Sequence, residues 1–452
     1  MKPILSLLFI CTYLSPGSCQ WYSYNGFSSD TITVSCIDIT PNQSIWASGV
    51  RYDLKNDSYV FSNSDMAWVS HSDDFGQNWE THALPLGQDV FVTSLSAVDK
   101  STAYLSGMYE YKHAKILKTS DGGSNWIDIS PSFDPYFSYV AYLNFKTQQT
   151  GIIISDPVVN EFQIYHTING GASWSLLNTD SIPDAIPFEF TISGTSYNQN
   201  LWFTTSYGRI FYSSNYGKSW AVFTSPIGYT EGLRFSDAQH GILSPGYTSQ
   251  ELLPTPIFST TDGGVNWAQL DLSPLGEKFA VFGYEYIPNS TYIMLTTCTG
   301  SLLTGDFATW ISPDRGETWQ QISSGENIYT INFQDASTGW GGEGQQLAHP
   351  TRMFQYTGSP LVGLFSDKTL VVDWDVFPNP TADRVQVRVQ EDKPTSYLLL
   401  VNDLQGKLIL RKDWDGIGVL DLDLGASCPS GMYTVTLASK DGKAVRKLVV
   451  AR

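Results

Sequence analysis

The chain reads TSDGGSNW at residues 119–126, and five other copies of this eight-residue pattern occur: SDDFGQNW at 72–79, TINGGASW at 167–174, SSNYGKSW at 213–220, TTDGGVNW at 260–267 and SPDRGETW at 312–319. Each copy is Ser or Thr, any residue, Asp or Asn, any residue, Gly, two further residues and Trp. The third positions are Asp74, Asp121, Asn169, Asn215, Asp262 and Asp314, which lie 46 to 52 residues apart. A repeat of this length is typical of one four-stranded propeller blade.

The residue types in the pattern predict a tight turn between two strands. An Asp or Asn side chain accepts hydrogen bonds from the turn's own N–H groups, and Gly supplies a positive φ. The closing Trp is large enough to pack between neighbouring sheets. We therefore expect a structural role for the acidic or amide position and the Trp of each copy. These residues are Asp74, Trp79, Asp121, Trp126, Asn169, Trp174, Asn215, Trp220, Asp262, Trp267, Asp314 and Trp319.

A second repeat precedes each copy by about two dozen residues and predicts the inner strands of the blades. It consists of an apolar strand, a polar turn and another apolar strand, with the alternation typical of strands. The repeat occurs seven times, against six copies of the turn pattern. The last copy has no turn or Trp of its own, so we expect the start of the mature chain, at 20–24, to supply its outer strand and Trp21 to supply the seventh Trp. This exchange closes a seven-bladed β-propeller over residues 20–358.

The six turns resemble the Asp-box, or bacterial neuraminidase repeat. In that family the box lies on the hairpin between the two outer strands of a blade, on the face away from the usual ligand site. Single seven-bladed propellers with this repeat are also similar to the photosystem II stability and assembly factor family, whose members are protein-binding propellers without catalytic activity.

The last 80 residues predict a second all-β domain. About seven short strands with Gly and Asp turns favour a small β-sandwich at 373–452, after a linker at 359–372. This segment resembles the C-terminal sorting domain of Bacteroidetes proteins exported by the type IX secretion system, which implies a secreted or outer-membrane surface-attached protein with that machinery as a partner. The residues that carry this resemblance are Pro378, Asn379, Pro380, Gly431, Tyr433 and Lys447.

The first 19 residues have the layout of a secretory signal peptide, with Lys2 ahead of an apolar run at 4–13. That run is too short to span a membrane, and no other segment is long enough. Cys36, Cys298 and Cys428 remain in the body of the chain. Cys36 and Cys298 could form a disulfide in an oxidising compartment, but buried free thiols are the favoured interpretation.

Composition excludes several classes of function. The chain has 452 residues and a net charge of −18, and residues 20–370 hold 33 acidic against 14 basic residues, which argues against nucleic-acid binding. The six histidines show no pair at metal-ligand spacing, and no nucleotide-binding motif is present. We expect a monomer without metal or cofactor.

Ligand-binding candidates lie in the loops opposite the boxes, where tyrosines alternate with charged residues. Aromatic faces beside hydrogen-bonding groups suit both sugar rings and protein partners. A solvated rim without any ligand is the alternative for each residue. The candidates are Arg51, Tyr52, Asp53, Tyr109, Glu110, Tyr111, Asp156, Glu161, Tyr207, Arg209, Tyr247, Glu251, Glu343 and Arg352.

These residues do not fit a sialidase, because the Arg-Ile-Pro signature of sialidases is absent and Arg315 lies inside a box. A glycoside hydrolase needs two carboxylates about 5–9.5 Å apart; similar xyloglucan-cleaving enzymes have two propellers, and this chain has one. We therefore predict no catalytic residues and expect a non-catalytic binding or adhesion module for an extracellular glycan or protein. The alternatives are glycan hydrolysis at the loop-rich face and a purely structural surface-layer role.

Overall fold

The structure is a computed structural model that describes most of the chain after residue 19. It covers residues 20–452 except 31, 52, 56–57, 61–66, 86–89, 110–112, 135–137, 178–180, 246–254, 301–304, 345–349, 359–371, 391–396, 404–407, 415, 417, 426–427 and 440–441. The predicted signal peptide and nearly all of the predicted linker lie outside the described residues.

Seven four-stranded antiparallel sheets form over the described part of residues 20–358, which confirms the prediction of a seven-bladed propeller. Blade 1 contains β2 (Ile32–Ile39), β3 (Ile45–Arg51), β6 (Ala67–Ser72) and β7 (Glu80–Ala83), with a hairpin of β4 (Asp53–Lys55) and β5 (Ser58–Val60). Blade 2 contains β8 (Val90–Ala97), β9 (Ala103–Tyr109), β10 (His113–Thr119) and β11 (Ile127–Asp128). Blade 3 contains β12 (Val140–Phe145), β13 (Gly151–Val158), β14 (Glu161–Thr167) and β15 (Ser175–Leu176).

The next three blades repeat this order. Blade 4 contains β16 (Thr191–Tyr197), β17 (Asn200–Thr205), β18 (Arg209–Ser213) and β19 (Ala221–Thr224). Blade 5 contains β20 (Gly232–Phe235), β21 (Gly241–Ser244), β22 (Phe258–Thr260) and β23 (Ala268–Gln269), and a 3₁₀ turn follows at Ser273–Leu275. Blade 6 contains β24 (Ala280–Tyr286), β25 (Ile293–Thr299), β26 (Asp306–Ser312) and β27 (Gln320–Ser324).

Blade 7 closes the ring by strand exchange, as the sequence predicts. It contains β28 (Ile328–Asp335), β29 (Thr338–Glu343), β30 (Pro350–Tyr356) and, as its outer strand, β1 (Trp21–Asp30). Trp21 pairs with Tyr356 across this sheet. The Trp21 ring is buried against Phe333 and Tyr356, and its Nε1 donates to Thr309 Oγ1 of blade 6 at 3.2 Å. Trp21 therefore fills the seventh Trp position.

The box turns have the predicted hydrogen bonds. In the second box, Asp121 accepts from the Asn125 backbone N–H at 2.9 Å and from the Asn125 side-chain amide at 2.7 Å. Thr119 Oγ1 donates to Asp121 at 2.9 Å and accepts from the Gly123 N–H at 3.0 Å. Each turn therefore satisfies its own backbone, as the Asx interpretation requires.

The box tryptophans pack between neighbouring blades, as predicted: Trp79 contacts Trp340 with ring centroids 5.6 Å apart, and Trp126 contacts Trp46 with centroids 6.4 Å apart. The six box tryptophans are only half-buried, whereas Trp46, Trp202 and Trp340 on the second strands of their blades are buried completely. Trp202 Nε1 donates to the Gly263 carbonyl of the next blade's box at 2.9 Å. Gly76 has φ +78°, and a Cβ there would lie 2.1 Å from the Trp340 ring. The second-strand aromatics and the box tryptophans thus share the space between blades.

The four aspartate boxes make an acid-sensitive contribution to stability. Donors from the fourth following residue hold the pKa of Asp121 below its usual range, and at Asp74, Asp262 and Asp314 similar donors outweigh the opposing effect of burial to lower the pKa. A depressed carboxyl pKa adds stability above the unfolded pKa of about 4, and this stability is lost as the pH falls through the folded value.

We therefore expect Asp121→Asn together with Asp262→Asn to flatten the fall in urea midpoint between pH 5 and pH 3. The natural boxes at Asn169 and Asn215 show that an amide fits the turn. Asn169→Asp is the matched control and should steepen the fall. Equal pH profiles for all three proteins would contradict this assignment.

The C-terminal region forms the two sheets of the predicted sandwich. One sheet has the order β31 (Trp374–Phe377), β32 (Arg384–Val389), β35 (Val419–Asp423). The other has the order β34 (Leu408–Trp414), β33 (Tyr397–Asp403), β36 (Gly431–Ser439), β37 (Gly442–Val450).

The residues that resemble a sorting domain hold the end of the chain in place. Asn379 lies between Pro378 and Pro380, donates to the Lys447 carbonyl at 2.6 Å and accepts from the Val449 N–H at 2.9 Å. Gly431 begins β36, and Tyr433 donates to the Pro429 carbonyl at 2.8 Å. The motif therefore fixes the final strand, β37, in the second sheet.

Candidate functional site at the loop face

The antiparallel blades give the propeller two different faces. The turns between first and second strands and the Asp-boxes lie at one end of the blades, which we call the box face. Connections between second and third strands, and between successive blades, lie at the other end, which we call the loop face. Every ligand candidate whose backbone the structure describes belongs to the loop face. Arg51, Asp53 and Tyr109 lie on strands there, but their side chains lie outside the described part of the chain, as do Tyr52, Glu110, Tyr111, Tyr247 and Glu251.

Glu343 and Arg352 form a buried ion pair within blade 7. The Glu343 side chain is fully buried and accepts from the Arg352 backbone N–H at 2.7 Å, from Nε at 2.9 Å and from Nη2 at 2.5 Å. Both guanidinium donors share Oε1, whereas Oε2 takes the backbone N–H, so the contact between β29 and β30 is charge-assisted. The structure therefore brings two predicted ligand residues together. Their polar atoms bind each other and are not directed at a ligand.

Asp156 joins blade 3 to blade 4. Its Oδ1 accepts from the backbone N–H and from the hydroxyl of Thr191, both at 2.7 Å. Burial raises the pKa of Asp156 to about 6, although the Thr191 donors oppose that shift. Because these donors belong to the protein, Asp156 acts as a clamp between blades in this structure.

Arg209 supports a loop between blades 3 and 4. Its Nε donates to Glu189 Oε1 at 2.9 Å, Nη2 also contacts Glu189 Oε2, and Nη2 donates to the Asp184 carbonyl at 2.9 Å. Glu189 is buried and accepts from the Ile186 N–H at 2.8 Å and from Thr205 Oγ1. Despite burial, the bonds from Arg209 and Thr205 hold the pKa of Glu189 below its usual range. The loop at 183–190 is therefore tied down from beneath by a buried carboxylate.

Above this ion pair lies a group of exposed apolar side chains, which we call the apolar patch. Phe188 is 92% exposed and Val159 is 89% exposed, values that are unusual for large apolar residues in a folded protein. The parts of the patch are joined directly: the Ala185 N–H donates to the Asn160 carbonyl at 2.7 Å, and the Tyr207 hydroxyl donates to the Pro187 carbonyl at 3.3 Å. The patch consists of Val159, Ile186, Phe188, Phe190 and Tyr207.

Two patch residues have strained backbone conformations. Val159 has φ +62° and Phe188 has φ +67°, in the left-handed region where a β-branched residue is rarely found. Val159 is the first residue of the two-residue turn between β13 and β14, a position that glycine ordinarily fills. Such strain costs of order 1–3 kcal/mol and is typical of functional positions. The backbone thus presents apolar side chains to solvent at an energetic cost.

Sequence reasoning found the edge of this site but missed its centre. Tyr207 is in the patch, Arg209 lies beneath it, and Glu161 follows its strained turn. Val159, Ile186, Phe188, Phe190 and Glu189 were missed, because the alternation at 185–190 is typical of a strand with its apolar side buried. Glu189 is inside and the apolar side chains are outside, which reverses that pattern. The available indication of an exposed patch was the presence of three apolar residues, Ala185, Ile186 and Phe188, between Pro183 and Glu189 of a loop.

No group of three His, Cys, Asp or Glu side chains that could hold a metal occurs among the described residues. Within the same residues, no helix is long and apolar enough to cross a membrane. Cys36, Cys298 and Cys428 are free thiols; Cys298 and Cys428 are buried, as the favoured interpretation of the sequence has them, and Cys36 is half-buried.

Comparison with known proteins supports both halves of the architecture. Residues 375–451 match the family described as the secretion system C-terminal sorting domain, and residues 71–245 match photosynthesis system II assembly factor YCF48. No curated protein matches the sequence.

Two solved structures share the propeller fold. "YCF48 bound to D1 peptide" is 20% identical with a TM-score of 0.53, and the alignment covers 75% of this chain and 98% of that one. YCF48 from Cyanidioschyzon merolae is 15% identical with a TM-score of 0.53, covering 74% and 98%. At these identities the likeness shows the fold alone. The chain is therefore a YCF48/BNR-like propeller joined to a type IX secretion C-terminal sorting domain, which directs it to the exterior or the outer surface of the cell.

Proposed function

We propose that the exported propeller is a non-catalytic binding module that recognises a protein through the apolar patch. The observation that carries this proposal is the exposure of Val159 and Phe188 in strained backbone conformations, above a loop fixed by Glu189 and Arg209. Contiguous exposed apolar surface on a soluble protein is a common mark of an interaction site.

The chemistry of the patch favours a protein over a glycan. Sugar sites need hydrogen-bonding groups beside their aromatic rings, whereas Val159, Ile186, Phe188 and Phe190 offer none from their side chains. Apolar anchors that enter a partner's pockets carry most of the energy of protein interfaces. A propeller of the same fold has been solved with a D1 peptide, which is consistent with a polypeptide ligand.

Charge narrows the class of partner further. Glu161 and Asp184 are exposed beside the patch, and the side chain of Arg209 is directed beneath it. The propeller as a whole is strongly acidic. We therefore expect a partner segment with apolar side chains flanked by lysine or arginine, since complementary charge steers association. Binding should weaken as salt concentration rises.

The test measures binding of the fluorescent mature chain to the surface of the cells that produce it. Val159→Ser with Phe188→Ser should reduce the affinity at least about tenfold, because each apolar side chain contributes about 1.5–3 kcal/mol when buried. Ile168→Ser with Val265→Ser is the matched control, since both residues are exposed apolar side chains associated with boxes, and it should bind normally.

Treatment of the cells separates the classes of ligand. Protease treatment should abolish binding, and periodate oxidation of glycans should leave it intact. The reverse result, or equal binding by both double variants, would refute protein recognition by the patch. Release of reducing ends from a polysaccharide panel would support the hydrolase alternative, in which Asp156 and Glu343 would first have to leave their Thr191 and Arg352 donors.

A further inference from the structure

A second and separate site lies on the propeller axis, where the first strands of the blades line a cavity of about 330 Å³. Seven residues at equivalent positions of the first strands, one from each blade, line this cavity. Each of these residues pairs with the second or third residue of the following strand. Four of them are neutral and polar: Ser96, Asn144, Thr195 and Asn332. The other three carry charge: Asp38, Arg234 and Glu285.

Asp38 is already satisfied by the protein. Its Oδ2 accepts from the Ala97 N–H of blade 2 at 2.7 Å, and its Oδ1 accepts from the Ile39 N–H at 2.9 Å. Ser96 of blade 2 makes the equivalent contact with blade 3, because its hydroxyl accepts from the Phe145 N–H at 2.9 Å. These positions therefore cap the inner strand of the next blade, and the charge of Asp38 serves a structural purpose.

Glu285 and Arg234 are not satisfied in this way. The Glu285 side chain is 6% exposed, and its Oε2 has no hydrogen-bond partner. Arg234 Nε lies 3.7 Å from that oxygen, which is too far for a hydrogen bond. The guanidinium packs over the Tyr284 ring, donates through Nη1 to the Leu233 carbonyl and is 35% exposed. The cavity thus has one buried acceptor that needs a donor, beside a cation with unused donors.

The adjacent acid and base favour a ligand that carries opposite charges a few bonds apart. A buried polar group without a partner is costly, and a buried charge is more so. A neutral sugar would supply hydrogen bonds but no opposite charges. We propose that the axial cavity binds a free α-amino acid, with the ligand's ammonium group on Glu285 and its carboxylate on Arg234.

Two further observations support this site. Burial raises the pKa of Glu285 to about 8 although Arg234 opposes the shift, and a ligand ammonium group beside it would favour the charged carboxylate. The neutral residues Thr195 and Asn332, on the blades next to Arg234 and Glu285, line the same cavity and offer donors and acceptors for a polar side chain. The size of the cavity limits the ligand to a small molecule.

The test is calorimetric titration of the mature chain with each standard α-amino acid. Saturable binding of at least one amino acid is expected. Its N-acetyl derivative lacks the ammonium charge and its amide lacks the carboxylate, so each should bind at least tenfold more weakly. Both comparisons use the unaltered protein and do not depend on the folding of a variant.

Variants then assign the site. Glu285→Gln and Arg234→Met should each weaken binding at least tenfold, whereas Glu317→Gln, an exposed carboxylate in the box at 312–319, should not. Failure of every amino acid to bind, equal binding of the blocked forms, or binding of D-glucose instead would overturn the proposal. Because the apolar patch plays no part in this experiment, its result is independent of the protein-recognition test.

Discussion

Replacing Trp21 with alanine is expected to cost about 3–5 kcal/mol of folding free energy, the usual loss for a fully buried Trp. The side chain is 3% exposed, its indole packs edge-on against Tyr356 with ring centroids 5.4 Å apart, and its N–H donates to Thr309 of the neighbouring blade. Truncation therefore removes apolar contacts and a hydrogen bond at the closing blade, and it leaves a cavity between blades 6 and 7.

Urea unfolding at neutral pH measures this loss. Ser23→Ala is the matched control in the same strand, because Ser23 is exposed and its replacement should change stability by less than about 0.5 kcal/mol. Deletion of 20–30 should be more damaging than the point variant, since it exposes the hydrogen-bonding edge of β30. If Trp21→Ala and Ser23→Ala unfold at the same urea concentration, the closing strand does not stabilise the propeller.

Arg352→Met should destabilise the protein by about 3–5 kcal/mol, because it leaves the carboxylate of Glu343 buried without its guanidinium partner. Glu343→Gln should cost less, since a neutral amide in the same place needs no counter-charge. The double variant should recover much of the loss, because the two substitutions remove a single interaction.

Chemical denaturation of the three variants at neutral pH tests this prediction. Lys115→Met is the control, because Lys115 and Asp128 form an exposed pair 3.7 Å apart that contributes about 1 kcal/mol or less. A loss in Arg352→Met no greater than that in Lys115→Met would contradict the assignment of a buried ion pair. In that case Arg352 would again be a candidate for ligand binding.

The repeat in the sequence was sufficient to predict the number of blades and the closing strand. Six boxes beside seven inner hairpins required an outer strand from elsewhere, and the segment at 20–24, with Trp21, resembles the strand that follows a box. This inference worked because turn chemistry is local: Asp121 contacts residues within four positions of itself.

The two sites could not be predicted in the same way. Arg234 and Glu285 lie about 50 residues apart in the sequence, and only the register of two different blades makes them neighbours. The apolar patch was hidden for another reason. Period-two alternation at 185–190 predicts a strand, but Arg209 draws Glu189 into the protein and turns Phe188 outward. A long-range ion pair overrides the local pattern there.

The exchange of β1 into blade 7 also determines the order in which the propeller can assemble. Blades 1 to 6 are built from strands that follow one another closely, so they can form as local units while the chain is still growing. β1 precedes all of these strands in the chain and has no partner in blade 7 until β30 exists, near the other end of the propeller. Contacts of such high sequence separation form slowly. Completion of the ring is therefore a late folding event, and a chain that ends before Tyr356 leaves both edges of the seam open to association with other chains.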